Sequence, residues 1–299
     1  MRKILISALI LLPLGLFAVA DAEAAKIKHQ QTIYADIEGI ALHLPEGVAC
    51  DDKTLAVADT GNSRVVIYRL EAQAMVAKTV LPLEGLSPIV IRMNSRGELY
   101  LLDGRERAIV KLGADGKIDG KLKPENLPNP QNFVPRSFDF DQQDHLYLVD
   151  IFAGRVLILD GTGQFLRQIP FPEKHGSFAD IAVSPQGAVY LLDSVAGAIY
   201  AAGPEAESFT LLSQGLKEFM NFPTSLALDG QGNLYLSDQY GSGLAVVSRD
   251  GTFLGRKFGL GWEDGQLYYP AQLCINDQGA LFVADRNNNR VQVFSILEE

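Results

Sequence analysis

The sequence is short of cysteine, histidine and tryptophan, carries no surplus of positive charge, and shows almost no helical periodicity over ten residues. Only Cys50 and Cys274 occur among 299 residues, so a disulfide framework is not what holds the chain together. The four histidines, His29, His43, His145 and His175, are far apart in sequence and make a weak basis for zinc chemistry. The formal net charge is −10 and no basic run is present. A phosphate backbone finds nothing to hold here, so nucleic acid is not an expected partner. After the first twenty residues no apolar stretch is long enough to span a bilayer.

What is present begins with the N-terminus. Arg2 and Lys3 precede the uncharged stretch from Ile4 to Ala20, and Ala22-Glu23-Ala24 offers a small-x-small cleavage site. Residues 1–24 therefore read as a secretory signal peptide, followed by a short linker over 25–30. Pro13 and Gly15 interrupt a segment barely long enough to cross a membrane, which argues against a retained anchor. No cysteine near the cleavage site could take a lipid. The mature protein is expected to be soluble and monomeric, in the periplasm or outside the cell.

Residues 31–299 are organised by an internal repeat. An alternating stretch, a polar turn, an apolar run and an aspartate recur six times, as in Phe222–Asp229 followed by Asn233–Asp238. The marker aspartates are Asp59, Asp103, Asp150, Asp193, Asp238 and Asp285, separated by 44, 47, 43, 45 and 47 residues. That period matches propeller blades and is too long for leucine-rich or ankyrin units. Turn residues such as Asp229-Gly230-Gln231-Gly232 divide each unit into three or four short strands. Six such units imply an all-β, six-bladed β-propeller with four-stranded blades around a central channel.

Asp285-Arg286-Asn287-Asn288-Asn289-Arg290-Val291-Gln292-Val293-Phe294 resembles the signature of NHL repeats, and Asp59–Tyr68 is similar to it. The resemblance extends over the whole mature chain. It implies a fold more than a function, because propellers of this kind host lyases, lactonases and interaction modules. The last unit stops after its third strand, while Gln31–Ile37 precedes the first with nothing of its own to pair with. That N-terminal strand is expected to complete the sixth blade and close the ring.

Aligning the units on their aspartates assigns faces to the innermost strands. Val48 and Cys50, Phe138 and Phe140, and Leu273 and Ile275 belong to the apolar set that packs between blades. Gly47, Val90, Ser137, Asp180, Ser225 and Gln272 fall at one depth of the channel, with Ala49, Arg92, Asp139, Ala182, Ala227 and Cys274 below. Arg92 and Asp139 are expected to form an ion pair inside the channel. Cys50 and Cys274 fall on opposed faces, so both are expected to be free packing residues. The six marker aspartates are structural, because a catalytic site would break the repeat.

Residues that differ between blades at the channel mouth are the functional candidates. Glu46, Arg136 and Asp180 are charged there, and Trp262, Tyr268 and Tyr269 lie on a glycine-flanked loop of the kind that carries binding hot spots. Resemblance to lactonase-like propellers would make Glu46 and Asp180 cation ligands, but no asparagine completes an oxygen set. Resemblance to amidating lyases would need several histidines at the mouth, and only His43 and His175 are placed there. Ser137 and Ser225 have no histidine beside them to act as base. The sequence thus points to an exported scaffold that binds a protein, peptide or glycan, with no catalytic residues, metal or cofactor assigned. The alternative is a divalent-cation-dependent hydrolase or lyase.

Overall fold

The apolar run before each marker aspartate is a strand buried on both faces, as in Thr54–Asp59, Leu146–Asp150 and Leu234–Asp238. Only a strand covered by a neighbouring sheet on each side can be apolar throughout. In the computed structural model, which describes residues 26–297, those strands are second from the axis in six antiparallel four-stranded sheets. The expected signal peptide lies outside the described residues. The first blade comprises Gly47–Cys50, Thr54–Asp59, Arg64–Glu71 and Ala74–Pro82. The innermost strands of the other five are Pro88–Met93, Pro135–Phe140, Phe178–Val183, Pro223–Leu228 and Pro270–Ile275.

The ring closes through the N-terminal strand, Lys26–Ile33, which pairs antiparallel with Arg290–Leu297 from Lys26 opposite Leu297 to Ile33 opposite Val291. This strand begins earlier than expected. Residues 26–30, read from the sequence as linker, are already in the blade, because the long last strand offers them partners as far as Leu297. Gln31 adds a clasp to the first blade. Its amide donates to Met75 O at 2.9 Å and its oxygen accepts from Met75 N at 2.8 Å.

Each marker aspartate ties the end of the second strand to the loop entering the first. Asp59 accepts from His43 N at 2.7 Å, Asp150 from Val134 N at 3.0 Å and Asp285 from Tyr268 N at 2.7 Å. The arginines five residues on complete three of these sites: Arg64 to Asp59, Arg155 to Asp150 and Arg290 to Asp285. In the fifth blade Arg256, from the outer strand, takes that place at Asp238. These bonds hold the entering loops and the loops after the second strand at one end of the channel, the mouth.

The cysteines are not free. Cys50 and Cys274 form a disulfide with Cα atoms 6.0 Å apart, joining the first and sixth blades. The expectation failed because the two faces of an inner strand look at different neighbours. Val48 and Cys50 pack toward the sixth blade with Ala271 and Phe282, while Ala49 packs toward the second with Ile91 and Met93. The opposed face of the sixth blade looks at the first, so opposed assignments bring the two sulfurs together. A cross-link spanning 224 residues constrains the unfolded chain by on the order of 5 kcal/mol in the chain-entropy picture.

Candidate functional site

The channel is not open from end to end. A belt of polar side chains from the inner strands crosses it. Asp180 is its hub, buried, accepting from Ser137 Oγ at 2.5 Å, Ser225 Oγ at 2.8 Å and Leu226 N at 3.0 Å. Arg92 donates to Asp180 at 3.1 Å and has its Nε 3.4 Å from Asp139 Oδ1. Ser225 in turn accepts from Leu273 N at 3.3 Å. On the other side, Gln272 of the sixth blade reaches past the first to the second, donating to Ile91 O at 2.7 Å and accepting from Ile91 N at 3.1 Å. Gly47 makes this possible, since a Cβ there would stand 2.8 Å from Gln272 Oε1. All six blades therefore meet at one level.

Below the belt Asp139 is enclosed by the channel wall and accepts from Val183 N at 2.9 Å. Burial pushes its carboxyl up to about 6, against the opposing pull of the Arg92 charge. The belt separates a cavity of about 240 Å³ on the mouth side from one of about 670 Å³ on the other.

Asp180 does not stand at the rim. The sequence placed it among the entering positions as well as in the channel, but the entering position of the fourth blade is Ala179, beside the mouth cavity. The register shift at this point is shared with the other blades, as at Pro223/Ser225, and Asp180 stands as far before Asp193 as Ser137 before Asp150 and Ser225 before Asp238, in the channel row. Glu46 does line the mouth, where Arg286 of the sixth blade pairs with it. The Arg286 guanidinium also lies 5.7 Å over the Tyr269 ring. Arg136 lines the same cavity, half-buried, and burial together with the charge of Arg107 pulls its guanidinium below the usual arginine range. Neither Arg107 nor Arg286 is recognisable from the sequence, because each reaches the mouth from another blade.

The loop with Trp262 is pinned. The Trp262 and Glu263 carbonyls accept from Arg290 at 2.7 and 2.9 Å, and Asn288 donates to Gly261 O at 2.9 Å. The indole itself is 75% exposed. Tyr268 is also exposed, while Tyr269 leans on Tyr240 with ring centroids 5.3 Å apart. The rim around them is apolar: Ile37, Ile40, Phe152, Val195, Tyr240 and Leu260 are exposed on the same end of the barrel of blades.

The histidines are dispersed. His29 contacts Thr32, His145 is held by Asp141 at 2.9 Å, and His175 stacks on Phe178. Among the described residues no group of three His, Cys, Asp or Glu side chains is placed to hold a metal.

The NHL repeat family matches residues 267–294, which contain the loop after Trp262 and the Asp285–Arg290 pair. With six four-stranded blades and a closing N-terminal strand around that match, the assignment follows. The chain is an NHL-repeat six-bladed propeller. No curated protein matches it significantly. Among solved structures, this NHL propeller is similar to virginiamycin B lyase from Staphylococcus aureus, at 13% identity over 91% of this chain and 100% of that one, TM-score 0.61. It is also similar to a gluconolactonase from Xanthomonas campestris, at 15% identity over 92% and 99%, TM-score 0.65. An auxiliary nutrient binding protein from Bacteroides thetaiotaomicron shows 13% identity over 91% and 77%, TM-score 0.68. Likeness at this level of identity concerns the fold alone.

Proposed function

We propose that this NHL propeller is an exported binding scaffold that receives a protein or peptide on its mouth face. The observation that carries the reading is the rim, where large apolar side chains stand exposed on loops whose backbones are fixed, with Trp262 at 75% and Leu260 at 66%. Such a patch on a soluble domain marks an interaction surface, and fixed loops lower the ordering cost of binding. Aliphatic members such as Ile37, Ile40 and Val195 suit apolar protein side chains better than sugar rings, which favours a polypeptide over a glycan. Export is supported by the N-terminal sequence and by a disulfide that persists only in an oxidising compartment.

The cation-dependent hydrolase or lyase reading needs carboxylates with free lone pairs at the mouth. Asp180 is already satisfied by four donors and Glu46 by Arg286, while Arg136 adds a positive charge beside them. Melting the mature protein with chelator, then with excess calcium or zinc, separates the two. The midpoint is expected to stay fixed in all three. A native-state ligand at about a hundred times its dissociation constant would add roughly 2.7 kcal/mol, a shift of several degrees. Such a shift, lost in Glu46→Ala, would replace the scaffold by the metal-dependent enzyme.

A further inference from the structure

One guanidinium in the mouth cavity has no hydrogen-bonded acceptor among the described residues, although the charge of Asp180 is felt there. Arg64, Arg92, Arg155, Arg286 and Arg290 are each held by a carboxylate. Arg136 is not: among the described residues its guanidinium donates no hydrogen bond and forms no ion pair, although it is half-buried. A planar fork of five N–H donors has thus given up part of its water without receiving an acceptor, which costs free energy in the empty pocket. The nearby acids cannot swing over to it, being committed to Arg286 and to the belt. The charge of Arg107 is also felt at Arg136 and works against that of Asp180, in a chain of net charge −10.

The rest of the cavity is built to match. Ile89, Val90, Ala179, Phe222 and Ala271 give it an apolar side, while Thr224, Ser225, Gln272 and the arginine-held Glu46 and Asp180 give it a polar one, and Gln239 presents a side-chain amide that makes no hydrogen bond to the described residues. Its volume of about 240 Å³ lies just under the range of about 300–1,000 Å³ that houses drug-sized ligands. It holds a group about the size of one amino-acid residue.

We propose that the mouth cavity is a carboxylate pocket, in which Arg136 grips the anion of a ligand whose apolar body fills the space against Phe222 and Ile89. The pocket rests on the mouth face being the binding face. A planar monoanion suits a single unpaired guanidinium with bidentate geometry, whereas a dianion such as phosphate would meet twice the repulsion from the Glu46 and Asp180 carboxylates that line the same cavity. The carboxylate can belong to a small free acid or to the C-terminal residue of a peptide.

Titration calorimetry on the full mature chain tests this with N-acetyl-phenylalanine, its neutral amide, inorganic phosphate, and a short peptide ending in phenylalanine as free acid and as C-terminal amide. The acids are expected to bind, with the amides weaker by roughly tenfold or more, as the loss of a charge-assisted pair requires. Arg136→Gln should reduce acid binding by a similar factor without lowering the melting midpoint, and Arg136→Lys should restore part of the binding, a point charge replacing the fork. A peptide acid that binds at least tenfold tighter than N-acetyl-phenylalanine identifies a polypeptide terminus as the natural source; equal affinities identify a small acid. Equal binding of acids and amides, tighter binding of phosphate, or no binding of any probe at millimolar concentration would each overturn the carboxylate pocket. The first of these would leave the apolar rim as the binding surface, and so separates this pocket from the wider reading of the face.

Discussion

Deleting residues 26–33 is expected to lower the melting midpoint of the mature protein by roughly 10–20 °C. The strand buries Ile33, pairs along its length with Arg290–Leu297 and clasps Met75 through Gln31. Full burial of one large aliphatic side chain stabilises by about 1.5–3 kcal/mol, and each net hydrogen bond adds about 0.5–1.5 kcal/mol. Together these reach on the order of 5 kcal/mol, and at about 2–4 °C per kcal/mol for a domain of this size the stated shift follows. The Cys50–Cys274 bond keeps the first and sixth blades joined in the deletion variant. The loss is therefore local to the outer edge, which is left unpaired and prone to pairing with other molecules. Calorimetry on the wild type and the deletion, both oxidised, checks it. An unchanged midpoint would show that the strand docks without closing the ring.

The second large effect concerns the belt. Asp180→Ala is expected to destabilise the fold by about 3–5 kcal/mol, because it removes the carboxylate shared by several buried donors and leaves the Arg92 charge with weaker partners. Arg92 would keep Asp139 and the Ile181 carbonyl, while Ser137, Ser225 and the Leu226 amide would lose their shared partner. Asp180→Asn keeps the volume and one acceptor oxygen, so its loss should be smaller. Urea unfolding of both variants measures the difference, and an alanine variant within about 1 kcal/mol of wild type would refute the hub, since ordinary surface changes cost no more than that.

Much of this architecture is legible from the chain alone, for identifiable reasons. The marker aspartates recur because every blade needs the same carboxylate to tie its second strand to its entering loop, and a repeated need leaves a repeated residue. The closing strand is visible because the last unit lacks an outer strand while the N-terminus has one to spare. What the sequence hides lies between blades. The alternation rule gives a side chain's face but not which neighbour that face meets, so the disulfide was missed. Counting Asp180 at the rim as well overlooks its spacing to Asp193, which equals that of Ser137 to Asp150 and puts it in the channel row, with Ala179 at the entering position. The Glu46–Arg286 pair spans 240 residues and leaves no local mark. One signal was available: Gly47 is the only glycine in its channel row, and a missing side chain there announces that something else, Gln272, passes over it.

The unpaired state of Arg136 and the exposure of Trp262 become meaningful only once the blades are assembled. Neither residue type is unusual in the sequence. It is the enclosure of one without an acceptor, and the display of the other on a pinned loop, that gives the mouth its character.

The most direct measurement of that character is site-specific photo-cross-linking in cells that export the full chain. A benzophenone amino acid would replace Trp262 or Phe152 on the mouth rim, and Gln186 or Gln231 on the opposite face, where both are exposed. Discrete adducts of higher mass are expected from the two rim positions and not from the two opposite ones. Adducts from Gln186 and Gln231 alone would contradict the account and move the working surface to the other end of the channel.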